Sequence, residues 1–229
     1  MSLSYETDVD LGQAIFGHAQ LGDQRRTDRL VKTFNLMQRH PGGTLPDKLS
    51  NPPDLRAFYR LCDADDVTHA AVIGAARQHT FTRIAECPGP VLTVHDATEL
   101  DFTSLASLAE DLGQIGTGSN RGYICHNVLA VSVDTGEVLG VVDQILHCRD
   151  EVPENETLAE LRERKTRESQ LWLHGTAHLP ADAKLIDVSD QGSDTFEFLE
   201  HEFHSGRRFV VRACKVRKVY AGHKPVGPR

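Results

Sequence analysis

No stretch of the chain approaches the eighteen or so consecutive apolar residues that a bilayer span requires. Its first residues, MSLSYETDVDLGQ, hold neither a basic leader nor the apolar core of a secretory signal. These absences lead to the expectation of a cytoplasmic protein with no membrane partner. Cys-x-x-Cys pairs are missing too. Cys62, Cys87, Cys125, Cys148 and Cys214 are scattered, which indicates neither a zinc ribbon nor a disulfide framework. HEFHS at 201–205 falls short of a zincin helix, because the second histidine sits at i+3 where i+4 is needed. The glycine loop GTGSNRG at 116–122 lacks the Lys-Ser/Thr of a phosphate-binding loop and leads into a strand, so it is not read as a nucleotide cradle. Acidic residues are absent from Arg207 to Arg229, where eight Lys and Arg side chains accumulate in a chain whose net charge is −8. Such a balance argues against coating nucleic acid wholesale, but a local basic block can track phosphates or remain a solvated tail.

What is present divides into two styles. Residues 1–88 read as helical. Asp23 is a good N-cap for a helix that Pro41-Gly42-Gly43 stops after Arg39, with Leu30, Val31, Phe34 and Met37 as its apolar face. Arg25, Arg29, Lys32 and Arg39 form a basic stripe opposite, interrupted by Leu36. A loop, GGTLPDKLSNPPDL, precedes a short helix bearing Phe58, Tyr59 and Arg60. An Ala-rich helix capped by Thr68 then runs to about Glu86. Cys87-Pro88-Gly89-Pro90 breaks the helical style and marks a boundary, giving domains of 1–88 and 89–229.

From Val91 onward the period is two. The pattern predicts a strand at 91–96, a short helix in LASLAEDLG, and two long strands joined at Asp134-Thr135-Gly136. A charged helix over about 156–173, a strand KLIDVSD, a helix over 194–204 and a strand RFVVRA follow. A hairpin followed by helical crossovers makes a mixed sheet, and crossover strands tend to run parallel to a neighbour.

Two strands end apolar rows with an acid: Leu92, Val94 and Asp96 share one face, as do Ile186, Val188 and Asp190. If those strands are adjacent and parallel, both carboxylates emerge at one sheet edge, an outline of a Mg²⁺ site suited to phosphoryl transfer. On pattern alone the same acids serve equally as a helix cap and a turn residue.

Six collinear blocks carry a resemblance. LGDQRRTDRL, AFYRLC followed by DDVT, VLTVHDATELDF, NRGYICHNVLAV, DVSDQGSD and RRFVVRACKVRK occur in this order between Ala14 and Lys218. Together the chain resembles the bacterial DDE-class transposases, the cut-and-paste insertion-sequence group of the transposon-five type. The resemblance implies an α+β protein: an N-terminal helical DNA-binding domain, then an incomplete ribonuclease-H-like mixed sheet flanked by helices. It implies Asp96 and Asp190 as catalytic and metal-binding acids, with Mg²⁺ as cofactor and Mn²⁺ as an alternative. Arg25, Arg26 and Arg29 match the start of the DNA-reading helix, Arg39 and His40 its end, Arg60 a further contact, and Arg212 an arginine on DNA near the active site. The implied partner is double-stranded DNA at transposon terminal repeats, with full-length transposase or a second copy as further partners. After Asp190 the family carries Arg-Glu where this chain has Gln191-Gly192, and its third carboxylate lies beyond the position of Arg229. The expectation is therefore a fragment truncated before the third carboxylate and inactive alone: a transposase portion, or a DNA-binding remnant that inhibits the full-length enzyme.

Overall fold

The structure, a computed structural model of the chain, describes residues 10–116, 118–150, 157–163, 167–214, 219–221 and 224–226. Much of the basic block, including Lys215, Arg217, Lys218 and Arg229, lies outside the described residues, as do Thr117 of the glycine loop and parts of the expected helix over 156–173. The chain forms two compact units, Met1–Glu86 and Cys87–Arg229. It is α+β, with helices first and a mixed sheet after them. Among the described residues no helix is long and apolar enough to cross a membrane.

The first unit holds α1 (Leu11–Phe16), α2 (Gln24–Arg39), α3 (Leu45–Lys48), α4 (Pro52–Cys62) and α5 (His69–Glu86). Asp23 caps α2 as the sequence predicts, its carboxylate accepting from Arg25 N at 2.8 Å. The helix buries Val31 with Phe16, Ala19, Leu21 and Ala75, and packs Leu30 and Phe34 beside them. Removing such side chains from water supplies most of a helix's stability in a unit this small. Asn35 ties α2 to the start of α1, donating to Asp10 Oδ1 at 2.7 Å and accepting from Gly12 N at 3.0 Å. Thr68 caps α5 through Ala71 N at 3.2 Å. One expectation fails here. The loop before α4 contains α3, a single turn made possible by a capping box in which Asp47 accepts from Thr44 N at 2.8 Å.

In the second unit β1 (Val91–Asp101), β2 (Gly113–Gln114), β3 (Arg121–Ser132), β4 (Val138–His147), β5 (Leu185–Ser189) and β6 (Arg208–Val211) form one mixed sheet. Its order is β2-β3-β1-β5-β6, with β4 on β3. β1 pairs antiparallel with β3 and parallel with β5, and β6 runs parallel to β5. β7 (Val219–Ala221) and β8 (Lys224–Val226) form a separate antiparallel pair. β1 does not stop at Asp96 as expected. It continues to Asp101 because β3 is long enough to pair with it, down to Asp101 opposite Gly122. A side chain at Gly122 would strike the carbonyl of Leu100, so the close pairing there needs glycine.

LASLAEDLG forms a 3₁₀ turn, Ala106–Asp111, in place of the expected short α-helix. The continuous helix expected over 156–173 is not formed. α6 (Leu158–Glu163), a 3₁₀ turn at Glu168–Gln170 and α7 (Leu171–Thr176) stand in that region. The last helix, α8 (Phe196–His204), is capped by Thr195 and crosses from β5 to β6.

α7 and α8 pack on the face formed by the odd-numbered residues of β1 and β5. Trp172 lies against His126 and Phe198 against His95, with ring centroids 5.2 and 6.3 Å apart. This deep face is partly polar, contrary to the pattern, which places Leu92, Val94, Ile186 and Val188 on the apolar row. Those four are half-buried, while Thr93, His95, Asp187 and Ser189 are buried. Most of this polarity is met internally, although His95 Nε2, 3.5 Å from Asp187 Oδ1, makes no hydrogen bond. Asp187 accepts from Thr93 Oγ1 and from Arg207 Nε, the latter at 2.9 Å, and Arg207 Nη2 donates to Glu202 Oε1 at 2.9 Å.

Candidate functional site

The N-terminal basic residues sit on α2, at its C-cap and on α4, and Arg25, Arg26, Arg29 and Lys32 are already engaged. Arg25, almost fully exposed, folds back on the cap Asp23 at 2.6 Å. Arg26 points away from the stripe, donating to Leu21 O at 2.9 Å and Asp66 Oδ2 at 2.6 Å. Gly22, with φ +76°, makes the turn beneath this pair, and a side chain there would collide with Asp66. Arg29 and Lys32 converge on Asp54 of α4, at 2.7 and 2.6 Å. The hydrogen bond from Lys32, with a further one from Arg29, holds its carboxyl below the ordinary value against the opposing effect of desolvation.

Arg39 ends α2, about 21 Å along the helix from Arg25, and His40 caps it; both are exposed. Arg60 is exposed in the last turn of α4, one turn beyond exposed Arg56, with Tyr59 between them. Arg25, Arg29, Lys32 and Arg39 thus share a face of α2, and α4 lies beside it through Asp54. Two residues of this face are not among those expected from the sequence: Arg56, which the i, i+4 spacing to Arg60 could have revealed, and Asp54, whose partners lie more than twenty residues away.

In the second unit three of the expected site residues stand level. The β1–β5 register pairs Val94 with Val188, so two residues further on Asp96 is level with Asp190. The β5–β6 register pairs Ser189 with Val211, and Arg212 N still donates to Ser189 O at 3.1 Å, bringing Arg212 level with Asp190. On the other side Asp96 pairs with Asn127, and Asn127 with Gln144. A polar row, Gln144–Asn127–Asp96–Asp190–Arg212, therefore crosses the sheet where β5 leaves β1 and β1 continues beside β3. Gln144 Nε2 donates to Asn127 Oδ1 at 2.8 Å. Both aspartates are exposed. Asp190 also caps the 3₁₀ turn Gln191–Ser193, accepting from Gly192 N at 3.0 Å. The alternatives left open by the sequence are thus compatible: one carboxylate caps a turn and stands beside its strand neighbour. Asn127 and Gln144 were missed, because finding them requires the hairpin register.

The glycine loop takes a different part. Gly116 N donates to Glu99 Oε1 at 2.7 Å, so the loop's amide is occupied by the protein's own carboxylate.

Behind the row lies a buried ionic cluster. Burial and the charge of Asp187 push the Glu202 carboxyl up to about 8. Burial alone would raise Asp187 as well, but the proximity of His95 and the hydrogen bond from Thr93 hold it below its ordinary value. Two acids and one guanidinium balance when Glu202 keeps its proton, so Asp187 and Arg207 form the ion pair and Glu202 acts as a neutral acid. His95 Nδ1 and His126 Nε2 are 3.2 Å apart, and burial, with His95 nearby, pushes His126 down to about 3.

Comparison with known proteins bears on the first unit. Residues 12–67 match the family model of transposase DNA-binding regions. The match runs from α1 past the end of α4, covers the α2–α4 face, and supports a transposase-type N-terminal region whose partner is DNA.

Proposed function

We propose that the chain binds the terminal repeats of a transposon through the exposed basic face of α2 and α4. We further propose that its second unit is a ribonuclease-H-like domain of the DDE class and transposon-five type, with Asp96 and Asp190 as its acids. The observation that carries the first part is the match over residues 12–67 to transposase DNA-binding regions, coinciding with the α2–α4 basic face. The second part is supported by the row that levels Asp96, Asp190 and Arg212 on three neighbouring parallel strands. In this reading Arg212 faces the phosphodiester and Arg25, Arg29, Arg39, His40 and Arg60 meet the recognised duplex, while Arg26 braces the turn before α2 through Leu21 and Asp66.

The acids suit Mg²⁺ or Mn²⁺ in kind, being hard oxygen donors at one strand end. They fall short in number. Among the described residues no group of three or more His, Cys, Asp or Glu side chains is placed to hold a metal ion. A second reading is a DNA-binding chain without cleavage activity that occupies ends and competes with a full-length enzyme.

The test begins by enriching duplexes from a randomised library with the full chain. Affinity for the enriched duplex and for a scrambled one is then measured across a salt series. Recognition of an end predicts a preference of roughly 10³-fold or more near physiological salt. Equal affinity overturns it. Nicking of the enriched duplex that needs Mg²⁺ and disappears in Asp96→Asn separates the cleaving chain from the competitor.

A further inference from the structure

Asp54 stands at the third position of α4, behind Pro52 and Pro53, with 9% of its side chain exposed. Its Oδ1 accepts from both Arg29 Nη1 and Lys32 Nζ, at 2.7 and 2.6 Å, and its Oδ2 from Asn51 Nδ2 at 3.2 Å. An acid in the first turn of a helix suits the helix dipole. The dipole does not explain why two cations from another helix, both within the span matched to transposase DNA-binding regions, converge on one carboxylate oxygen.

For affinity alone this acid is unfavourable, since it neutralises one of two positive charges on a surface meant for phosphates. Its gain lies in geometry. Lysine and arginine on long stems can reach any nearby phosphate, and freezing them on binding costs side-chain entropy. A carboxylate that already holds both heads removes that cost for one arrangement of phosphates and leaves it for others. It also lowers the charge available for indiscriminate attraction. We propose that Asp54 is a positioning residue of the DNA interface: by clasping Arg29 and Lys32 it sets the discrimination between the recognised duplex and other DNA. This inference rests on the DNA-end reading above.

The experiment uses the full chain, a duplex enriched by the wild-type protein from a randomised library, and a scrambled duplex of equal length and composition. Fluorescence anisotropy is followed over a salt series. Asp54→Asn frees both cations. It should steepen the dependence of log affinity on log salt by about one on both duplexes, and cut the preference by about tenfold. Asp54→Glu keeps the charge but displaces the carboxylate. It should leave the salt slope unchanged and still lower the preference. In the double variant Asp54→Asn/Lys32→Gln the wild-type net charge returns, so the slope recovers while the preference stays low. A purely structural acid would move thermal midpoint and both affinities together, leaving the ratio intact. Should Asp54→Asn fail to fold, Asp54→Glu decides alone. Wild-type preference retained in every variant that folds overturns this inference and leaves end recognition standing. A wild-type chain without preference overturns end recognition, and this inference with it.

Discussion

Arg207 holds Asp187 through an Nε–Oδ2 contact of 2.9 Å, with 3% and 0% of the two side chains exposed. The same guanidinium reaches Glu202 at 2.9 Å. Strand β5, helix α8 and the start of β6 are thus joined by one charge placed out of water. Removing one partner of such a pair leaves the other buried without compensation, at a cost of about 3–5 kcal/mol. Arg207→Met should therefore destabilise the second unit by about that amount. Glu202→Gln, which keeps a neutral group able to donate to Asp187, should cost about 1 kcal/mol or less near pH 5. Urea unfolding followed by the fluorescence of Trp172, the only tryptophan, reads the second unit selectively.

The same cluster sets a pH dependence. Glu202 is raised to about 8 from an ordinary 4.5, so between these values the folded chain holds a proton that the unfolded chain has lost, and stability falls as pH rises. His126 is lowered to about 3 from 6.5. In that window the unfolded chain holds the extra proton, so stability rises with pH. Where the windows overlap, between 4.5 and 6.5, the slopes oppose each other. The second unit should show a stability plateau there, losing about 1.4 kcal/mol per pH unit on each flank. Asp187, held low, adds to the acid-side loss as it protonates. Glu202→Gln should remove the alkaline flank and leave the acid one; an alkaline flank that persists would place its origin elsewhere than Glu202.

The fold was legible where local signals agree. Asp23, the 3.6 period of Leu30, Val31 and Phe34, and the Pro41-Gly42-Gly43 stop all specify α2, and the structure forms it at Gln24–Arg39. Strands reached by a helical crossover were expected to run parallel to a neighbour, and β5 does so beside β1, which meets the condition for Asp96 and Asp190 to emerge at one edge. Three features were hidden for separate reasons. The end of β1 depends on the length of β3, a partner twenty residues away. α3 was masked because glycines and prolines around a single turn read as loop. The deep face of the sheet was misjudged because period-two patterning sends Thr93, His95 and Asp187 to solvent. In the structure Thr93 donates to Asp187, His95 Nδ1 pairs with His126, and Arg207, remote in sequence, neutralises the acid. Of the candidate site, the acids were legible from their strands; Asn127, Gln144 and Asp54 depend on register or tertiary pairing that one sequence does not display.

The row across the sheet makes a prediction about ions that does not depend on catalysis. Two exposed carboxylates, with no third metal-ligating side chain grouped with them among the described residues, should hold a divalent cation only near the millimolar range. Titrating the full chain with Mn²⁺ and counting free ion by electron paramagnetic resonance should show one weak site. It should be lost in Asp96→Asn and in Asp190→Asn. Because Asp190 also caps the turn at Gln191–Ser193, its Asn variant keeps a capping oxygen and should unfold at an unchanged temperature. Unaltered Mn²⁺ binding in both variants would move any ion site away from this row.

Arg60 offers the complementary test on the first unit. Unlike Arg29, which is held by Asp54, Arg60 stands exposed on the outer side of α4, a turn beyond Arg56. A cation used for a phosphate contributes about 0.9 to the slope of log affinity against log salt, whichever duplex is bound. Arg60→Gln should therefore lower that slope by about 0.9 on enriched and scrambled DNA alike, leaving their ratio nearly intact. Arg29→Gln should do more. It removes a positioned cation and leaves Lys32 alone on Asp54, so the slope should fall and the ratio with it. If the Arg60 variant keeps the wild-type slope, the outer side of α4 is a solvated surface, and the interface is confined to α2 and the acid that holds it.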